Sequence, residues 1–258
     1  MTRSTVAAAS KPAWVELSTP DAAASGDFYA RLFGWQIEVT EDPQYGGYAM
    51  ARIGDRDAAG IGPKQSPEAP TAWTIYIGTD DLDRLVQQVT AAGGTVVAPP
   101  FDVGDQGRMA VFQDPAGAFI SAWQGAGMGR SFAWNEPNAL TWAELNARGI
   151  ERAIPFYESV FGWTHTTTPM EGGFPPYTTF EADGQPVAGG MEMNAAIPGE
   201  VPSYWMPYFG VDDVDATFRR ALEAGGREMV PPQEYPGGRF AIVSDPHGAA
   251  FGLMQTAR

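Results

Sequence analysis

Phe28-Tyr-Ala-Arg-Leu-Phe-Gly-Trp35 returns as Phe156-Tyr-Glu-Ser-Val-Phe-Gly-Trp163, an offset of 128 residues (156 − 28). Upstream, Trp14-Val-Glu-Leu17 returns at the same offset as Trp142-Ala-Glu-Leu145. Downstream, Trp73-Thr-Ile-Tyr-Ile-Gly-Thr-Asp-Asp81 is matched by Trp205-Met-Pro-Tyr-Phe-Gly-Val-Asp-Asp213. Ala92-Gly93-Gly94 and Pro99-Pro100 are matched by Ala224-Gly225-Gly226 and Pro231-Pro232. Gly107-Arg108 and Asp114-Pro115 are matched by Gly238-Arg239 and Asp245-Pro246. Blocks repeated in one order mark a duplication, with small loop insertions between them. The Gly-rich, polar stretch 126–137 reads as a linker. It separates a first domain at 12–125 from a second at 138–256, after a polar, Ala-rich, flexible lead at 1–11.

Each half divides again. Trp14–Ser18 alternates as a strand does, and Asp21–Phe33 is an Ala-rich helix stopped by Gly34. Thr74–Ile77 is strand-like, and Thr79 or Asp80 can cap a helix with Leu82, Leu85, Val86 and Val89 on one face. Gly93-Gly94 ends that helix. Its counterpart runs from Asp212 through Val214, Phe218 and Leu222 to Gly225-Gly226. Arg108–Gln113 and Arg239–Ser244 read as short strands, each followed by an Asp-Pro-x-Gly turn and a last strand. The pattern predicts an α+β fold of four βαβββ modules.

Composition limits the chemistry. The 258 residues are 44% hydrophobic and 18% charged, enough to bury a sizeable core. The net charge of −15 argues against nucleic acid or an anionic membrane as partner, since both require clustered Lys and Arg. Zero Cys excludes disulfides, thiolate metal sites and thiol nucleophiles. Two His leave little for imidazole metal sites or for histidine acid–base chemistry. His165 lies in a Thr-rich stretch that reads as an exposed strand, and His247 in a turn. No apolar run suits a signal peptide or a membrane span, so the expected location is cytoplasmic.

Phe-Tyr-x2-Leu/Val-Phe-Gly-Trp, the helix ending in Ala-Gly-Gly, and Gly-Arg…Asp-Pro-x-Gly, each present twice, resemble the vicinal oxygen chelate superfamily. That is the glyoxalase, bleomycin-resistance and extradiol-dioxygenase fold. The resemblance implies two tandem glyoxalase-like domains whose curled sheets form cups. Members include metal-dependent lyases, isomerases and dioxygenases, and metal-free proteins that sequester drugs. The resemblance places metal ligands at positions held here by Trp14, Thr74 and Ser121, and by Trp142, Met206 and Gly252 in the second half. None is His, Asp or Glu, so neither a metal nor any other cofactor is expected.

Alternation along a strand puts Glu16 on the face of Trp14, and Glu144 on that of Trp142. A carboxylate there is a candidate acid/base or an orienting group for a substrate hydroxyl. The structural alternative is an ion pair with the repeated Arg108 and Arg239. Trp14, Thr74, Tyr76, Ser121 and Trp123 are expected to line the first cup, closed by Tyr48 and Met50. Trp142, Met206, Tyr208 and Met254 are expected to line the second, closed by Tyr177. Trp35 and Trp163 are expected to wedge helix against sheet instead. Such a lining suits a small apolar or aromatic molecule. The leading expectation is metal-independent binding of a natural-product-like metabolite, for sequestration, antibiotic resistance or delivery to a partner biosynthetic enzyme, by a monomer or homodimer. A cofactor-free lyase, isomerase or cyclase, using Glu16 or Glu144 with Tyr76 or Tyr208 as hydrogen-bond donor, is the alternative. A metal-dependent glyoxalase or dioxygenase ranks third. The sequence leaves binding and catalysis open.

Overall fold

The computed structural model describes residues 10–41, 45–126, 131–170, 174–194 and 197–256. Residues 1–9 of the expected lead and 127–130 of the expected linker lie outside the described residues. The first module is β1 (Pro12–Thr19), α1 (Ala22–Phe33), β2 (Gln36–Val39), β3 (Ala49–Ile53) and β4 (Arg56–Pro63). The second is β5 (Ala72–Gly78), α2 (Leu82–Ala91), β6 (Thr95–Val103), β7 (Gly107–Gln113) and β8 (Phe119–Gly125). The third is β9 (Leu140–Ala147), α3 (Ile150–Phe161), β10 (Thr164–Thr168), β11 (Tyr177–Ala182) and β12 (Gln185–Glu192). The fourth is β13 (Tyr204–Gly210), α4 (Val214–Glu223), β14 (Arg227–Tyr235), β15 (Gly238–Ser244) and β16 (Ala250–Thr256). The βαβββ unit therefore occurs four times. Two eight-stranded sheets result, ordered β2-β3-β4-β1-β5-β8-β7-β6 and β10-β11-β12-β9-β13-β16-β15-β14.

Local chemistry sets the element ends. Asp21 caps α1 by accepting from the backbone N–H of Ala24, and Gly34 closes it in the left-handed conformation. The expected cap of α2 is corrected: Asp81 fills that place, and Thr79, two residues earlier, accepts from the Asp81 N–H. The Pro-Pro pairs sit in β6 and β14, which are sheet edges whose register slips at those residues. An edge strand tolerates proline because its missing N–H costs no ladder bond. Residues 131–133 of the expected linker pair with Asp57, which accepts from Ala133 N and donates to Ser131 O.

The described residues of Met1–Ala13, Ile75–Gly129 and Ala143–Trp205 form one compact unit; those of Trp14–Thr74, Arg130–Trp142 and Met206–Arg258 form another. Each unit thus combines segments from both halves of the duplication. In the first, Tyr157 and Trp163 of the third module pack on Phe180 and Trp205, with Phe156 and Phe161 against Tyr157. Phe156 also lies so close to Gly94 that a Cβ there would come within 2.5 Å of its ring. In the second, Phe28, Tyr29, Phe33 and Trp35 pack on Trp73, Phe209 and Phe251. Trp35 and Trp163 are buried as expected, stacked on Tyr29 and Tyr157. Among the described residues, no helix is long and apolar enough to cross a membrane.

Candidate functional site

Strand alternation separates two faces of β1. Val15 and Leu17 are wholly buried, while Trp14, Glu16 and Ser18 are half-buried on the other side. Glu16 stands in register with Gly60 of β4, which stands in register with Met50 of β3. Tyr48 Oη donates to Glu16 Oε2 at 2.9 Å. The tyrosine ring lies over Gly60 and Gly62: a Cβ at Gly60 would run into the hydroxyl, and one at Gly62 would come within 3.0 Å of the ring. Trp14, at the other side, has its ring centroid 5.7 Å from that of Phe132.

The third module repeats this arrangement. Glu144, 9% exposed, is in register with Gly189 of β12, and Tyr177 Oη donates to its Oε2 at 2.9 Å. Asn146 Nδ2 reaches Oε1 at 3.4 Å. Burial, and then the charge of Glu144, push the Tyr204 hydroxyl above the ordinary phenol range. Trp142 is half-buried on the same strand.

The parallel pairs β5–β8 and β13–β16 carry the remaining candidates. Tyr76 is in register with Ser121, and Gly78 with Trp123. Trp123 lies over Gly107 and Gly125, where added Cβ atoms would fall 2.9 and 3.3 Å from its indole. Ser121 is wholly buried, and its Oγ has no hydrogen-bond partner among the described residues. Tyr208 is in register with Gly252, and Gly210 with Met254. The Tyr208 ring occupies the space a side chain at Gly252 would need. Tyr76, Met206 and Tyr208 are almost wholly buried, whereas Thr74, Trp123 and Met254 are half-buried.

The expected ion pair is corrected. Arg108 is held by Asp83 at 2.8 Å and Asp102 at 3.7 Å, and Arg239 by Asp215 at 2.6 Å and Glu234 at 2.7 Å. Each arginine therefore ties its strand to the first turn of a helix, and the partners described above for Glu16 and Glu144 are tyrosine hydroxyls and an amide. His165 is exposed and meets Glu158 at 2.8 Å, and His247 lies in its turn. An open cleft of about 200 Å³, lined by Thr79, Asp80, Arg84 and Ser159 among others, contains none of the predicted residues.

These side chains do not fit a divalent metal. The six family ligand positions offer two indoles, two hydroxyls, a thioether and a glycine. Among the described residues, no group of three or more His, Cys, Asp or Glu converges. Imidazole, thiolate and carboxylate are the donors such ions require. At Gly252 the space for a ligand side chain is filled by a tyrosine ring.

Sequence reasoning missed a second repeated constellation. Tyr157 Oη donates to Asp114 Oδ2 at 2.7 Å and accepts from Trp205 Nε1 at 2.8 Å. Tyr29 joins Asp245 and Trp73 in the same way, at 3.3 and 3.2 Å. Each Asp also accepts one backbone N–H within its own Asp-Pro-x-Gly turn and one from the residue just after it. The one available signal was that Phe-Tyr and Asp-Pro-x-Gly each occur once per half.

The chain is 40% identical to "Putative glyoxylase CFP32" of Mycobacterium tuberculosis, with 95% of both chains covered. It is 38% identical to the anthracycline biosynthesis protein DnrV of Streptomyces peucetius, over 95% of this chain and 92% of that one. The fold is shared with the Mn(II)-bound glyoxalase from Novosphingobium aromaticivorans, at TM-score 0.65 and 18% identity, covering 96% of this chain and 82% of that one. It is shared equally with 2,2',3-trihydroxybiphenyl 1,2-dioxygenase of Sphingomonas wittichii, at TM-score 0.65 and 14% identity, covering 95% and 90%. The sequence model of the Glyoxalase/Bleomycin resistance protein/Dioxygenase superfamily matches residues 11–121 and 139–253, and with both halves matched the chain belongs to that superfamily.

Proposed function

We propose that this protein binds a small, largely apolar aromatic molecule on the sheet faces carrying Trp14, Tyr48, Trp123, Trp142, Tyr177 and Tyr208, without a metal. The observation that carries this reading is the close packing of aromatic side chains against glycines on these strands. Tyr48 covers Gly60 and Gly62, Trp123 covers Gly107 and Gly125, and Tyr208 covers Gly252. Tyr48 and Trp123 are half-buried and so keep aromatic surface suited to stacking a planar ligand. Half-buried Met50 and Met254 supply adaptable walls. The name of the anthracycline biosynthesis relative supports a role in handling a natural product, by sequestration or by delivery to a biosynthetic enzyme. Binding to the native state alone raises stability by RT ln(1 + [L]/Kd), about 2.7 kcal/mol at a hundredfold excess over Kd. Planar polycyclic aromatics are therefore expected to quench Trp fluorescence and raise Tm, with the ligand recovered unchanged. No response across a broad panel would sink the reading, as would a stoichiometric transition metal on which binding depends.

A second reading, a cofactor-free lyase, isomerase or cyclase, is favoured by the tyrosine hydroxyl that holds each carboxylate in a fixed orientation. Tyr48 and Tyr177 join Tyr76 and Tyr208 as its candidate hydrogen-bond donors. It requires turnover that Glu16→Gln and Glu144→Gln abolish while the fold is kept.

A further inference from the structure

Among the described residues, the Ser121 hydroxyl is wholly buried and makes no hydrogen bond. A polar group withdrawn from water without a partner costs free energy. The scaffold does not demand one at this place. Gly252 holds the equivalent position in the second half, where the Tyr208 ring takes the space a side chain would need. A serine kept at a cost where glycine suffices has a use outside folding. Its surroundings on the sheet indicate which. Val111 of β7 stands in register with Ser121, Met109 with Trp123, and Phe101 of β6 with Met109. Residues in register share a face. The opposite face, carrying Ala110, Phe112 and Ile120, is wholly buried. This one is reachable: Met109, Val111 and Trp123 are half-buried and Phe101 is 44% exposed. Trp123 is held in place by Gly107 and Gly125, where added Cβ atoms would fall 2.9 and 3.3 Å from its indole.

A serine hydroxyl carries one donor and two lone pairs. Unused lone pairs are commoner in folded proteins than unused donors, so the missing partner is an acceptor. A carbonyl oxygen conjugated to a ring lies in the ring plane, and a molecule of that kind stacks on an indole without lifting away. Resting on the aromatic-binding reading above, we infer that the face of β6, β7 and β8 binds a planar aromatic ketone, with Trp123 stacking the ring and Ser121 donating to the carbonyl. Phe101 and Val111 flank the ring. Met109, unbranched and diagonal to Ser121, turns aside to admit the carbonyl edge. The apolar body of the ligand keeps water from the bond it makes, which strengthens that bond. Ser121 thereby sets specificity for a carbonyl in the first half, and the second half, with Gly252, has no such reader.

The test is calorimetric titration of the full chain with two probes of one shape, methyl naphthyl ketone and isopropenylnaphthalene, in which C=CH2 replaces C=O. The readout is the ratio of their affinities, ketone over alkene. Ser121→Ala removes the donor and is expected to lower that ratio about fivefold, the worth of one ordinary hydrogen bond. Trp123→Ala is expected to weaken both probes together and to leave the ratio standing. Without ligand, Ser121→Ala should melt at the wild-type temperature or above it, because the hydroxyl it removes has no partner to lose. A marked fall in Tm, or failure of that variant to fold, would show that the hydroxyl serves the scaffold and would overturn the inference. So would a ratio that Ser121→Ala does not move, or probe affinities that Trp123→Ala leaves unchanged. Those outcomes leave aromatic binding itself standing; if neither probe binds the wild-type chain, the aromatic-binding reading falls and takes this one with it.

Discussion

Tyr157 is wholly buried and held at its hydroxyl by two partners. Its hydroxyl stands between the Trp205 indole and the Asp114 carboxylate, and Asp114 also gathers the N–H groups of Ala116 and Ala118. Burial first, and then the Asp114 charge, push the Tyr157 hydroxyl well above the ordinary phenol range; burial and Asp245 do the same to Tyr29. For a phenol whose folded pKa is raised, the folded state keeps its proton where the unfolded chain would lose it. That stability is fully present below the unfolded value near 10 and is lost as pH rises above it. Asp114 is also raised, by burial that its hydrogen bonds only partly offset. Its ionisation therefore costs stability as pH climbs through the carboxylate range, and in acid it does not promote unfolding. We expect alkaline unfolding above about pH 10, with two of the nine tyrosines contributing tyrosinate absorbance only as the chain unfolds. Tyr157→Phe strands the Trp205 N–H and one Asp114 oxygen. At about 1–3 kcal/mol for each unsatisfied buried group, the expected loss is about 2–6 kcal/mol in urea denaturation, with a shallower alkaline fall. A neutral Tyr157→Phe would show that these hydroxyl bonds contribute nothing net.

The four βαβββ modules were legible because their signals are local. Apolar spacing, a capping Asp and a stopping Gly all lie within a dozen residues of the element they define. Legibility failed where one element is completed by another. The cap of α2 was misplaced by one or two residues because Thr79, Asp80 and Asp81 are all competent caps, and it is Asp81 whose carboxylate accepts the Arg84 N–H. At α3 the sequence offers Gly149, which carries no capping side chain; Glu192, from the end of β12, accepts the N–H groups of Gly149 and Ile150 instead. The site behaves likewise. Alternation put Glu16 on the face of Trp14, but the hydroxyl of Tyr48, which donates to it, could not be placed without the strand register that brings Gly60 against the tyrosine. Glu192→Ala removes both a cap and a charge that favours the positive end of the helix dipole. It is expected to cost about 0.5–2 kcal/mol and to speed amide exchange over residues 149–153 while α1, capped by its own Asp21, is unaffected. Equal fraying of both helices would assign Glu192 no special role.

Duplication by sequence and compactness by packing divide this chain differently, and the difference predicts how it assembles. Sequence repeats cut it near residue 128, yet each compact unit draws on both sides of that cut. Tyr29, Phe33 and Trp35 of the first half are covered by Phe209 and Phe251 of the second, with Asp245 accepting the Tyr29 hydroxyl. Tyr157 and Phe156 of the second half meet Asp114 and Gly94 of the first. A buried aromatic hides about 150–250 Å², so losing Phe209 and Phe251 alone removes cover comparable to the whole largest apolar patch of an ordinary monomer, about 300–600 Å². Each half would also leave a buried Tyr–Asp hydrogen bond unmade. Fragments 1–128 and 129–258 are therefore expected to be insoluble or self-associated when produced alone. Because the halves repeat one pattern, self-association should take the form of a dimer in which one copy's first module covers the other copy's second. Produced together, they should pair with each other and recover cooperative unfolding, seen by size-exclusion chromatography and by a single thermal transition. A monomeric half that unfolds cooperatively by itself would show that the contacts between halves are dispensable, and that the duplication joined two already self-sufficient domains.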